Sequence, residues 1–159
     1  MAVGIGFLWR SVNAFGHAGE SGMPNWAYSV KEIDPERSVR CSGRELRISP
    51  KAATEICRTI RGMRIEEAKE LLEAVISKKR PIAYRRYKTE VPHKSHSERW
   101  HAGRYPRKAA SKILGLLEEL QSNAEYKGLD VDRLRIVHAA SQRGMKMKNY
   151  TPRAFGRST

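Results

Sequence analysis

The strongest constraint on this chain is where its charge lies. Residues 78–108 hold eleven bases and two acids, and residues 133–159 hold seven bases and no acid. The rest of the chain is close to neutral, so the net charge of +14 belongs to these two segments. Like charges at that density repel one another and add nothing to the stability of a compact fold. A chain so built folds around its near-neutral parts and offers the two segments to a polyanion, with nucleic acid or an anionic membrane first among them. The length, 159 residues, is that of one domain.

The near-neutral parts carry the folding signals. Ser49-Pro50 reads as a helix start, a Ser cap followed by a Pro whose missing N–H has no partner to lose. The stripe Ala52, Ala53, Ile56, Cys57 and Ile60 follows, and Gly62 stops it. A second helix presents Ile65, Ala68, Leu71, Leu72, Val75 and Ile76, with Glu66, Glu67, Lys69, Glu70 and Glu73 outside and Pro81 as its stop. A third runs from Pro106 to Gly128 through Ala109, Ala110, Ile113, Leu114, Leu116, Leu117, Leu120 and Ala124; so wide a stripe predicts a central place in the core.

After Gly128 the period changes to two. Leu134, Ile136, His138 and Ala140 fall on one face of a predicted strand, with Arg133 and Arg135 on the other. Leu46 and Ile48 form a shorter strand, expected to pair with it under the helices. The predicted class is α+β, three helices packed on a small antiparallel sheet. Residues 1–22, rich in Gly, Ala and Ser without periodicity, are expected to be a disordered N-terminal extension or the product of an upstream start codon wrongly chosen.

Neither basic segment looks suited to a core. Residues 80–105 spread Tyr84, Tyr87, Trp100 and Tyr105 among bases and three histidines, broken by Pro81 and Pro92. Arg and Lys meet phosphates while exposed aromatics stack on unpaired bases, a mixture that favours RNA over duplex DNA or a membrane. From Gly144 onwards the chain is basic, aromatic-bearing and poor in core residues. No run of 18 apolar residues exists, which excludes a transmembrane helix, and the short apolar run Ala2–Trp9 lacks the basic leader of a signal peptide. Cys41 and Cys57 fit no metal or redox spacing, which suits a reducing, intracellular setting.

Catalytic and metal chemistry find little support. His93, His96 and His101 lie close in sequence, but nothing supplies a fourth ligand, and Lys94 and Arg99 would repel a cation. The glutamates of the second and third helices fall on solvated faces. Cys57 reads as a buried inert thiol and His138 as a satisfied packing residue. No phosphate loop or nucleophile elbow is present, and no cofactor or metal is expected.

Several motifs in order resemble the ribosomal large-subunit protein L twenty-two family, L seventeen in eukaryotic naming. They are Ser49-Pro50-Lys51-Ala52, Glu55-Ile56-Cys57-Arg58, Ile60-Arg61-Gly62, Gly103-Arg104-Tyr105-Pro106, Lys108-Ala109, Asn123-Ala124, Gly128-Leu129-Asp130 and Leu134-Arg135-Ile136-Val137-His138. Tyr150 followed by Pro152-Arg153-Ala154-Phe155-Gly156-Arg157 is similar to the tip of that family's long hairpin. The resemblance covers about residues 28–159, and the basic insert at 80–105 points to the archaeal and eukaryotic branch.

The resemblance implies a structural, non-catalytic constituent of the cytoplasmic large ribosomal subunit, whose partners are large-subunit rRNA, neighbouring ribosomal proteins and the nascent chain passing the hairpin tip, with no membrane. It implies an α+β body over residues 23–143, carrying the insert, and an extended basic β-hairpin arm and tip over 144–159. The implied rRNA-binding residues are Arg85, Arg86, Lys88, His93, Lys94, Arg104 and Tyr105 in the insert. In the arm they are Arg143, Lys146, Lys148, Tyr150, Arg153, Phe155 and Arg157. Pro92 stands where the family pattern has Gly. The family's return strand is not found before Thr159, so the hairpin is expected to be truncated at its tip, with an open sheet edge. The charge map alone is served equally by a free-standing basic RNA- or DNA-binding protein of chaperone or chromatin type. An RNA-processing enzyme would need acids within the basic segments, where only Glu90 and Glu98 occur.

Overall fold

The Ser49-Pro50 start is used. Helix α1 spans Pro50–Ile60 in the computed structural model, which describes residues 3–8, 34, 37–95, 100–144 and 149–157. The Ser49 hydroxyl makes no capping bond, so the start rests on the fixed φ of Pro50 and on the Ser49 carbonyl, which accepts from the Ala53 N–H at 3.0 Å. At the other end Gly62 adopts φ +87°, a conformation glycine takes without steric cost. Helix α2 (Ile65–Ile76) follows, with the Glu67 carboxylate accepting the Arg64 N–H at its first turn. Pro81 is not what stops α2. The chain turns at Lys78, φ +61°, and the Lys79 and Arg80 N–H groups both bond back to the Ala74 carbonyl.

Helix α3 (Arg107–Tyr126) buries Ala109, Ala110, Ile113, Leu116, Leu117, Leu120 and Ala124. It packs against α1, α2 and the strand β2 (Arg40–Leu46), the central place its wide stripe predicts. Gly43 of β2 is what lets α3 come so close: a Cβ there would lie 2.9 Å from Leu116 Cδ1 and 2.7 Å from Leu46 Cδ1.

The sheet departs from expectation in two ways. Its order is β2, β1 (Val3–Leu8), β5 (His138–Arg143), antiparallel throughout. The two predicted strands therefore do not pair with each other; β1 stands between them. Residues 3–8 thus belong to the body and not to a disordered extension, while the rest of 1–22 lies outside the described residues. Along β1 the register runs from Val3↔Leu46 to Leu8↔Arg40 on one side and from Val3↔Arg143 to Leu8↔His138 on the other. Arg44 and Glu45 together oppose Gly4, and Glu45 takes φ +50°, a bulge that interrupts the ladder before the pair Val3↔Leu46.

The strand predicted over 133–140 is two segments with different partners. Val131–Arg133 forms a single 3-10 turn capped by Asp130. Leu134 to Ile136 then bonds to the loop between α1 and α2: the Gly62 N–H reaches the Ile136 carbonyl at 2.7 Å and the Ile65 N–H the Leu134 carbonyl at 3.1 Å. From His138 the chain moves onto β1. The inward side slips by one residue at the change, so Leu134, Ile136 and then Ala139 are buried, with Ala140 only half-buried.

Candidate nucleic-acid interface

The insert is better ordered than its composition implies. Strands β3 (Ile82–Ala83) and β4 (Gly103–Arg104) pair antiparallel, and the Tyr84 N–H extends the ladder to the Ala102 carbonyl at 2.9 Å. The other edge of 101–103 receives residues 92–94: the Lys94 N–H bonds to the His101 carbonyl and the Gly103 N–H to the Pro92 carbonyl. Residues 101–104 are thus the middle of a small three-segment sheet in the order 82–84, 101–104, 92–94. Pro92 fits this role because it contributes only a carbonyl, and the positive φ of the preceding turn falls on Glu90 instead, at +58°.

Residues 80–105 therefore do contribute to the core, against expectation. Ile82, Ala102 and Tyr84 are buried, and Tyr87 and Val91 pack against the cluster. Alternation along a short strand sends these side chains inward, so Tyr84 is no stacking platform. Burial, partly opposed by Arg104, pushes its hydroxyl's pKa up. Trp100 acts as a pin: its indole N–H donates to the Tyr84 carbonyl at 2.9 Å, its ring stacks on His101 at 5.0 Å, and Arg85 lies 5.5 Å from its centroid.

On the outside this small sheet gathers the cations. Arg85, Arg86, Lys88, His93 and Arg104 are exposed, and Lys94 and Tyr105 are half-buried side by side, the ammonium 5.8 Å from the ring centroid. Arg104 donates to the Glu90 carbonyl at 3.0 Å, and His93 meets His101 edge-on at 5.0 Å. His96 and Arg99 lie outside the described residues. Among those described, no group of three His, Cys, Asp or Glu side chains is placed to hold a metal.

The second basic segment leaves the body at Arg143, the exposed end of β5. Lys146 and Lys148 lie outside the described residues; 149–157 are exposed throughout. Tyr150 is 65% exposed. The bend that Gly156 permits is taken: Phe155 and Gly156, both with positive φ, form the centre of a tight turn in which the Arg157 N–H bonds to the Ala154 carbonyl at 3.4 Å and the Arg153 N–H to the Arg157 carbonyl at 2.8 Å. Phe155 stands at its apex, 98% exposed and at φ +58°. A left-handed backbone at an aromatic residue costs about 1–2 kcal/mol.

Both basic segments are anchored through α1, which packs against β3 and β5. The Arg61 guanidinium donates to the Ala139 carbonyl at 2.9 Å. The anchoring residue that sequence reasoning passed over is Glu55, a carboxylate buried on α1. Its only signal was an acid flanked by Ala53 and Ile56 in the apolar stripe. Its Oε1 accepts the N–H groups of Arg86 at 2.7 Å and Tyr87 at 2.9 Å. His138 also differs from expectation: it is half-buried, and its enclosed Nδ1 has no partner among the described residues. Burial, then the nearby Arg61 charge, lowers its pKa. Cys57 is the buried thiol expected, and Cys41 is buried as well. Burial pushes both up to about 12, helped at Cys41 by the bond to Glu119.

A body that holds two sets of exposed cations can be set beside known proteins. Residues 41–159 match the family described as ribosomal protein L22p/L17e. This chain belongs to that family. It is 52% identical over 132 residues to the large ribosomal subunit protein uL22 of Archaeoglobus fulgidus, covering 83% of this chain and 85% of that one. The uL22 of Methanopyrus kandleri is 51% identical over 138 residues, covering 85% and 87%, and that of Cenarchaeum symbiosum 50% over 137, covering 86% and 90%. These relatives are archaeal, in keeping with the archaeal and eukaryotic branch to which the basic insert points.

Proposed function

We propose that this chain is a structural constituent of the large ribosomal subunit, located with it in the cytoplasm, and that its two basic segments bind large-subunit rRNA. The observation that carries the reading is the separation of roles within a family member. Among the described residues most apolar side chains serve one core, whereas Arg85, Arg86, Lys88, Arg104, Arg143, Arg153 and Arg157 are all exposed. The insert supplies a rigid surface for phosphates. The arm supplies Tyr150 and Phe155, whose free rings suit unpaired bases, beside arginines that grip phosphate at two points. The arm reaches into rRNA, and its tip lies beside the nascent-chain tunnel, with the nascent chain and neighbouring ribosomal proteins as further partners. The role is support and assembly, without catalysis.

Salt dependence tests the reading. Each neutralised phosphate contributes about −0.7 to the slope of log K against log salt on single strands and about −0.9 on duplex. If half of the basic residues in the two segments meet phosphates, the slope is about −6 or steeper. A slope shallower than about −3 refutes the assignment of the segments. Co-sedimentation with large subunits through high salt separates a built-in constituent from a free-standing basic binder, which washes off.

A further inference from the structure

We propose that Glu55 is a positioning residue for RNA binding: its buried carboxylate holds the backbone of the Arg85–Tyr87 bend so that the cations of that bend are aimed at the phosphates. The inference rests on the insert being an RNA-contacting surface.

The residue is anomalous for this chain. The glutamates of α2 and α3 are exposed, whereas Glu55, the one glutamate of α1, is 1% exposed on a helix that also buries Ala52, Ala53 and Ile56. A carboxylate taken out of water is tolerated only when hydrogen bonds replace its solvation. Two do, and both come from consecutive backbone N–H groups converging on Oε1. The other oxygen, Oε2, is buried with no partner among the described residues. Both bonds connect elements some 30 residues apart in sequence, α1 and the start of the insert. They are the charge-assisted kind, shorter and about twice as strong as neutral ones.

The consequence is directional. With the N–H groups of residues 86 and 87 turned inward onto one oxygen, the dihedral angles of the bend are fixed. The side chains of Arg85 and Arg86 then point outward, and both are exposed. Arg86 lies 5.6 Å and Lys51 5.9 Å from the half-buried Tyr87 ring, so three cations, Arg85 among them, crowd the bend. An anionic anchor beneath offsets their mutual repulsion where a neutral one would not. Without the anchor the bend is a basic loop whose side chains must be ordered by the RNA, at a cost in affinity.

The experiment is a double-mutant cycle on the full chain. Affinity for in-vitro-transcribed large-subunit rRNA is measured for wild type, Glu55→Ala, the pair Arg85→Ala with Arg86→Ala, and the triple variant, alongside amide hydrogen exchange. Loss of two phosphate contacts weakens binding about 15- to 30-fold in the arginine pair. Glu55→Ala weakens binding about tenfold and releases the amides of Arg86 and Tyr87 while those of α2 and α3 stay protected. If Glu55 acts through the arginines, the triple variant binds within about twofold of the pair. Effects of Glu55 and the arginines that multiply in full overturn the proposal, as does a Glu55→Ala protein that binds normally. Glu55→Gln keeps an oxygen acceptor and covers the case in which the alanine variant does not fold. It is expected to bind about threefold more weakly than wild type, a deficit that vanishes when the two arginines are absent; a deficit that persists there also overturns the proposal. An arginine pair that binds as wild type overturns the RNA reading of the insert itself, a failure recognisable without any Glu55 variant.

Discussion

Removing the two arginines of the tip, Arg153→Ala with Arg157→Ala, separates what the arm does from what the body does. The turn that carries them is closed by backbone groups, Arg153 N–H to Arg157 carbonyl and Arg157 N–H to Ala154 carbonyl, which alanine leaves in place. All of residues 151–157 are exposed and outside the core. Surface changes of this kind move stability by no more than about 0.5 kcal/mol, so the melting temperature of the free protein should hold within about 2 °C. The cost to binding follows from counterion release. Two lost phosphate contacts make the salt slope shallower by about 1.4 to 1.8, which at 0.15 M salt, relative to a 1 M reference, is a loss of about 15- to 30-fold in affinity. Filter binding to large-subunit rRNA across a salt series measures both quantities, and sucrose-gradient fractions report incorporation into large subunits. An unchanged slope with normal incorporation would show that the tip arginines contact no phosphate, and would remove the arm from the interface.

Hydrogen exchange on the free protein should protect the amides of Tyr84, Lys94 and Gly103, which close the insert's small sheet, along with those of α3, and leave 149–157 unprotected; fast exchange at all three insert amides would mean that this sheet forms only on RNA. The depressed pKa of His138 gives a pH effect of definite sign. The unfolded chain takes up the proton near pH 6.5 and the folded chain only at lower pH, so stability falls as pH drops below about 6.5 until the lower folded-state value is passed. Urea unfolding from pH 7.5 downward should show this loss in wild type and a smaller one in His138→Gln, and equal losses would refute it.

The helices were legible because their information is local. Stripes such as Ile65, Ala68, Leu72 and Val75 repeat within one turn of each other, and each bears on the same buried face. The two basic segments were legible for the same reason, since charge can be counted along the chain. What the sequence hid depends on pairing across long distances. Val3–Leu8 has an irregular composition with two glycines, and its identity as a strand comes from partners at 40–46 and 138–143. Leu134 to Ala140 reads as one alternating strand because nothing local announces that it changes partners at Val137. In the insert, one residue of register decides whether an aromatic ring faces the core or the solvent, so Tyr84 could not be told from Tyr105 by composition. Glu55 was invisible as an anchor because its two donors are backbone groups of the insert, which no side-chain pattern reveals.

The place of β1 in the sheet also sets an order of events. Its pairing with β2 joins residues separated by about 32 positions at Leu8↔Arg40, whereas its pairing with β5 joins residues about 130 apart at Leu8↔His138. Each doubling of a closing loop costs about 0.6 kcal/mol, so the second ladder is harder to initiate by about 1.2 kcal/mol before any contact is made. The near pair zips first and the far one last. Because β5 runs directly toward the basic arm, the arm acquires a fixed point of departure only when this last ladder closes. Until then its cations sweep freely from an unanchored tether. The aiming of the arm is thus a late event in folding, and a body arrested short of it carries the same charge with no defined direction.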